Sequence, residues 1–145
     1  MKDFFCGVTG FVGSVVASCF GGFDAWLKTL LAFMILDQIS GFIVAAVFKA
    51  SVKTKNGALE SMTCWKGVCK KVMTIILVFV AHRLDISLGT TYIRDTVTIA
   101  FITSELISII ENAGLMGLPV PKVLSEAVDL LKNKIDEKGD DAYED

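Results

Sequence analysis

The stretch LLAFMILDQISGFIVAAVF, residues 30–48, sets the strongest limit on what this chain can become. It is the main part of an apolar segment running from about Ala25 to Phe48. As a helix that segment is on the order of 36 Å long, enough to cross the hydrocarbon core of a bilayer with some tilt. Asp37 stands near its midpoint. A carboxylate at that depth costs about 2.5–3.5 kcal/mol on insertion scales, whereas each Leu, Ile, Phe or Val returns only about 0.3–0.6 kcal/mol. The segment can carry one such charge, but its own composition gives no reason for it. An ionisable group at that depth marks a function by default.

The rest of the chain supports a membrane reading. Across 145 residues the mean hydropathy is +0.61 and the net charge is −2. Apolar residues come in blocks with charges swept between them, where a soluble domain would alternate apolar and polar faces. The expected fold is an all-α membrane protein of three to four transmembrane helices, with a short amphipathic C-terminal helix and an acidic tail. The competing reading is a soluble bundle with unusually apolar core helices. No strongly basic or acidic balance points to nucleic acid.

Four apolar segments are expected, over residues 4–21, 25–48, 72–89 and 95–118. The first carries no charge, and Gly10, Ser14 and Ser18 recur at every fourth residue. Small residues on one face let helices approach closely in lipid, so this row is a candidate packing face. Gly21-Gly22-Phe23-Asp24 makes a tight turn into the second segment. Residues 49–71 form a loop rich in lysine (Lys49, Lys53, Lys55, Lys66, Lys70 and Lys71 against Glu60), the mark of the cytoplasmic side. The third segment is clean only until Arg83 and Asp85, so it spans only if its helix continues to about Leu88. Pro119 and Pro121 stop the fourth. Residues 122–145 place Val123, Ala127, Leu130, Leu131 and Ile135 at helical spacing and end in DEKGDDAYED, read as a surface helix and a disordered end. With four spans, both termini and the lysine loop are cytoplasmic. With three, the first segment lies at the interface or stays outside.

Other chemistry is poorly supported. Cys6, Cys19, Cys64 and Cys69 fit no zinc spacing, and His82 is the lone histidine. Reduced, packed thiols are expected, with no metal and no cofactor. Val16-Ala17-Ser18-Cys19 resembles a lipoprotein cleavage box, but Asp3 cancels Lys2 and a second apolar block follows at once, so the N-terminus is expected to stay uncleaved. No nucleophile–base pair, phosphate loop or HExxH pair is visible, and no enzymatic activity is expected.

Counting from the inferred water boundaries brings the membrane charges to one level. Asp37 falls near the midplane. His82 and Arg83 lie roughly 16 Å beyond Lys71, and Glu105 lies roughly 15 Å beyond Asp95 on the opposite approach. Thr98, Glu105, Ser108 and Asn112 form a stripe on the fourth helix, with Glu111 beside it. The second segment offers Gly41 one turn from Asp37 as a point of close approach. A midplane polar layer of Asp37, His82, Arg83, Glu105, Ser108 and Asn112 is therefore expected. Arg83 pairs internally with Asp37 or Glu105 at rest, or the same groups line a wet path once subunits assemble; both can hold in succession.

Several ordered pieces resemble the holins of phage lysis and toxin secretion. GGFDAWLKTLLAFMILDQISG is similar to a GG-[WF]-D turn followed by LD-x-x-[ST]-G, here Gly21, Gly22, Phe23, Asp24, Leu36, Asp37, Ser40 and Gly41. WKGVCKKVMTIILVFVAHRLD matches a lysine–glycine segment and an AH-x-LD ending at Ala81, His82, Leu84 and Asp85. SELISIIENAGLMGLPVPKVL matches a last helix and exit at Glu105, Glu111, Asn112, Ala113, Gly114, Gly117, Pro119 and Pro121. The resemblance covers about residues 20–124, with a longer loop around Asn56 to Cys64. It implies a non-enzymatic homo-oligomer among the lipids of the bacterial cytoplasmic membrane. Such a protein opens holes at a set time for an endolysin or a signal-less toxin. In some members an inhibitory second form, an antiholin, is a partner; the next methionine here is Met34, which argues against a near-start second form. A small proton-coupled transporter or channel subunit using Asp37 or Glu105 is the alternative, and a membrane-anchored structural partner a third.

Overall fold

Asp24 opens the first helix of the computed structural model, which describes Ser14, Ser18, Gly21, Gly22, residues 24–51, Lys53 and residues 60–140. Its backbone is extended, and its carboxylate accepts the Leu27 N–H at 2.9 Å, satisfying one of the free amides of the helix start. Helix α1 (Ala25–Ile43) continues through a π-helical turn, Val44–Phe48, and ends at Lys49 in the left-handed conformation (φ 50°). Leu27, Leu30, Met34, Asp37, Val44 and Ala45 are its buried residues, and most recur at alternating three- and four-residue steps along one seam. The 24 residues Ala25–Phe48, whose most apolar 18-residue stretch has a mean hydropathy of 2.1, form the one helix among the described residues that is clearly long and apolar enough to cross a membrane.

Helix α2 (Ser61–Leu88) has 28 residues, so it starts at Ser61 and not near Val72. The expected loop over 49–71 is thus corrected: its second half is helical. Lysines mark contact with water, and straight-chain residues of that kind are good helix formers, so charge density alone did not locate the boundary. The helix ends at Gly89 (φ 71°).

Helix α3 (Ile93–Leu115) stops before the prolines, at Gly117 (φ 78°), where Leu118 N–H reaches Ala113 O at 3.1 Å. Helix α4 (Lys122–Asp140) is longer than the short surface helix expected and continues through much of the acidic stretch. Ser14 and Ser18 are helical and exposed. Gly10, Cys6, Cys19 and most of the first apolar segment lie outside the described residues, as does the end of the acidic tail from residue 141. Among the described residues there are four helices of this kind and no strand.

Helix α3 is the hub. It packs against α1, α2 and α4, whereas α1 and α2 barely meet. The core consists of Leu27, Leu30 and Met34 from α1, Val78 from α2 and Ile102 from α3, with Leu131 of α4 packed against it. The outward faces of α1 and α2 carry large apolar side chains, including Ile35, Phe42, Ile76 and Leu84. The buried charges of these helices, Asp37 and Asp85, therefore have to be explained from the inside.

Candidate functional site

Asp37 is buried at the seam of α1. Lys71, from the part of α2 that the sequence suggested was loop, places its Nζ 2.8 Å from Asp37 Oδ2 and 2.6 Å from Glu105 Oε2 of α3. One ammonium thus bridges carboxylates from two other helices, and all three side chains are largely withdrawn from solvent. Asn112, just under two turns beyond Glu105 on α3, donates from Nδ2 to Asp37 Oδ1 at 3.3 Å and to Ser40 Oγ at 2.8 Å. Ser40 in turn donates to the Asp37 carbonyl at 3.1 Å. Burial of a charge is tolerable only when it is paired and its remaining lone pairs are occupied. Here Lys71 supplies the pairing at Oδ2 and Asn112 donates to Oδ1, with Ser40 holding the Asn112 amide in place.

Of the residues expected at one level, the structure brings some together and not others. Asp37, Glu105 and Asn112 come together, but the cation is Lys71 and not Arg83. Arg83 is exposed on α2. His82 lies far along α2 from Lys71, where an added Cβ at Gly21 would come within 2.7 Å of its Cε1 and 2.9 Å of Arg94 Nη1. The spacing from Lys71 to His82 is as counted, but its origin shifts. Lys71 is bonded inside the bundle, and His82 stands beside Gly21 and Arg94 near the other end of it. Ser108 is half-buried and borders a hollow with Glu111, Asn112 and Lys53, beside the cluster. Gly41 sits close to Asn112, yet a Cβ there would stand 3.7 Å from Asn112 Nδ2, an ordinary contact.

The signal for Lys71 was present. Lys71, Val78 and Asp85 follow at seven-residue steps, and the latter two are buried on α2. Lys70, one position earlier, points outward and is exposed. A second cavity feature leads away from the cluster: a hollow lined by Asp37, Asn112, Gly41, Lys53, Glu60 and Thr63 connects it to the lysine-rich end.

A separate charged group ties the other end of the bundle. Arg94 bonds Asp24 at the start of α1 and Asp95 at 2.9 Å, and Asp95 receives Lys138 of α4 at 2.9 Å. Asp85 is buried and caps the start of α3, accepting from Thr90 Oγ1 (2.7 Å), Ile93 N–H (3.0 Å) and Arg94 N–H (2.9 Å). Among the described residues no group of three or more His, Cys, Asp or Glu could hold a metal ion.

The two glycine environments lead to opposite expectations. Gly41→Ala should stabilise the protein by up to about 1 kcal/mol, because the added methyl finds ordinary contact on a helix that favours alanine. Gly21→Ala should cost about 1–2 kcal/mol, since its φ of 74° is left-handed and its Cβ would press on His82. Thermal unfolding in detergent micelles would separate them.

Helices throughout the described residues, large apolar side chains outward on α1 and α2, and charges paired between the helices are the pattern of a small helical membrane protein. The family model of the bacteriophage holin family matches residues 14–133, and the chain belongs to that family. This is a family of non-enzymatic proteins of the bacterial cytoplasmic membrane. Among its relatives, an uncharacterized protein of Listeria innocua is 38% identical over 123 residues, covering 84% of this chain and 81% of the relative. An uncharacterized 14.9 kDa protein encoded in the nagH 3' region of Clostridium perfringens is 34% identical over 125 residues, covering 85% and 89%. A probable holin of Bacillus phage phi105 is 28% identical over 114 residues, covering 78% of each. No solved structure matches.

Proposed function

We propose that the protein acts as a holin that accumulates in the bacterial cytoplasmic membrane, oligomerises and opens holes at a set time. A cell-wall hydrolase, or a toxin without a signal peptide, leaves through them. The observation that carries this reading is family membership across residues 14–133, with a probable holin among the relatives. In this reading α1 with its π-helical turn, α2 and α3 cross the bilayer, and the first apolar segment supplies a fourth span. The lysine-rich end, from Lys49 to the start of α2, faces the cytoplasm. Lys66 and Lys70 reach that face by extending their stems along the apolar surface.

The arrangement of charge supports assembly in lipid. Asp37, Lys71 and Glu105 satisfy one another within a protomer, which leaves apolar faces on α1 and α2 for lipid or neighbouring subunits. A folded enzyme is tens of ångströms wide, and no single bundle of four short helices encloses such a passage. Many subunits are required, so opening should be cooperative. The Gly10, Ser14, Ser18 row is a candidate contact between them.

A second reading is favoured by the hollow that joins Asp37 to the lysine-rich end. A proton-coupled transporter or channel subunit would use Asp37 and Glu105 with such an access path. The two readings part in time course. Induced with a cell-wall hydrolase, a holin gives steady growth followed by an abrupt collapse of turbidity and membrane potential. A gradual loss of potential from the start of induction, with no collapse of turbidity, would favour the transporter.

A further inference from the structure

The position of α4 conflicts with a helix resting on the cytoplasmic surface. The chain leaves α3 at Gly117, turns at Pro121, and α4 runs back beside α3. Lys138 near its end reaches Asp95 in the first turn of α3, at 2.9 Å. Lys134 stands over the Trp26 ring, 5.0 Å from its centroid, at the start of α1. Earlier in α4, Val128 is buried and Leu131 packs against the core. Nineteen residues of helix measure about 28 Å, close to the thickness of the hydrocarbon core. If α3 crosses the membrane, α4 as placed crosses beside it.

Its outer face cannot meet lipid. Lys122, Glu126, Asp129, Lys132, Asp136 and Glu137 are all exposed, with exposed Val123 and Leu130 along one edge of that face. Asp129 and Lys132 fall in the middle of the helix, at the depth where charge is most costly in hydrocarbon. The exposed faces of α1 and α2 are the reverse, with Ile35, Phe42, Ile76 and Leu84 outward. The protomer therefore presents an apolar flank on α1 and α2 and a charged flank on α4. A wall between lipid and a water-filled passage has those two requirements.

We propose that the charged face of α4 lines the aqueous interior of the assembled hole, and that α4 docks along α3 only when subunits have assembled. This rests on the hole-forming reading. Before assembly, a protomer surrounded by lipid cannot keep α4 beside α3, and the helix lies at the water interface. Docking of α4 then supplies the wet surface that the hole needs.

The test uses the full chain with its four native cysteines replaced by serine and with Asp95→Cys and Lys138→Cys. A short, membrane-permeant bis-maleimide is added to growing cells before and after leakage of a cytoplasmic enzyme begins. Mass spectrometry of the membrane fraction then reads the cross-link between positions 95 and 138 within one chain. The expected result is at least a tenfold rise in cross-linked chain at the onset of leakage. Absence of the cross-link from leaking cells, or equal cross-linking before leakage, overturns the proposal while the hole-forming reading stands. A wild-type chain that never releases the enzyme removes both. A second variant, Asp129→Leu with Lys132→Leu, makes the middle of the outer face apolar. It should reach the membrane in normal amount yet release at least tenfold less enzyme. Unchanged release would contradict a lining role for α4.

Discussion

Replacing Lys71 with alanine should lower the stability of the bundle by about 3–5 kcal/mol, the cost of removing one partner from a buried ion pair. The loss follows from geometry: Lys71 Nζ is within 3 Å of both carboxylates, and its removal leaves Asp37 and Glu105 facing one gap without a cation. Arg83→Ala, at the position that spacing alone favoured, should change stability by no more than about 0.5 kcal/mol because Arg83 is exposed. The decisive comparison is Lys71→Met combined with Asp37→Asn and Glu105→Gln. Neutral groups of similar shape should recover most of the loss, since uncompensated charge is its source. Unfolding in micelles of defined composition would measure all three. A large defect in Arg83→Ala with a mild one in Lys71→Ala would contradict the assignment.

The second large effect concerns Asp85. Its buried carboxylate accepts from two backbone amides at the start of α3 and from the Thr90 hydroxyl. Asp85→Ala leaves these donors without that acceptor and removes a negative charge from the positive end of a helix, at a cost of about 3 kcal/mol. Asp85→Asn keeps one acceptor oxygen and should recover about 1 kcal/mol of it. Because α3 is the hub, the damage should spread to α1 and α4, visible as a lower unfolding temperature and loss of the Lys134–Trp26 contact by tryptophan fluorescence.

Much of this architecture was legible in the residues. Ala25 to Phe48 is continuous helix as its apolar run indicates, and Asp37, Glu105 and Asn112 meet as their helical faces require. The motif pieces acquire physical roles. Asp24 of the glycine turn caps α1, Asp85 of the AH-x-LD ending caps α3, and Asn112 joins Asp37 to Ser40. What escaped reading was the direction of individual lysines. Lys70 and Lys71 are chemically alike and adjacent, yet a step of about 100° along the helix turns one outward and the other onto the acids. Once Lys71 was placed at the water boundary, every depth counted from it shifted, which carried His82 and Arg83 into a layer they do not join. The course of α4 was hidden for a different reason. Its amphipathic spacing shows that one face is covered, but a lipid surface and the flank of α3 cover an apolar face equally well.

On the proposed function, these paired, inward-facing charges belong to a subunit of a large assembly and not to a narrow ion path. The most direct measurement is release of a folded cytoplasmic reporter enzyme after induction, recorded together with membrane potential. A holin gives an interval in which the protein accumulates, the potential holds and the enzyme stays inside, followed by loss of both within the same short period. Steady ion leakage with the enzyme retained throughout would contradict it.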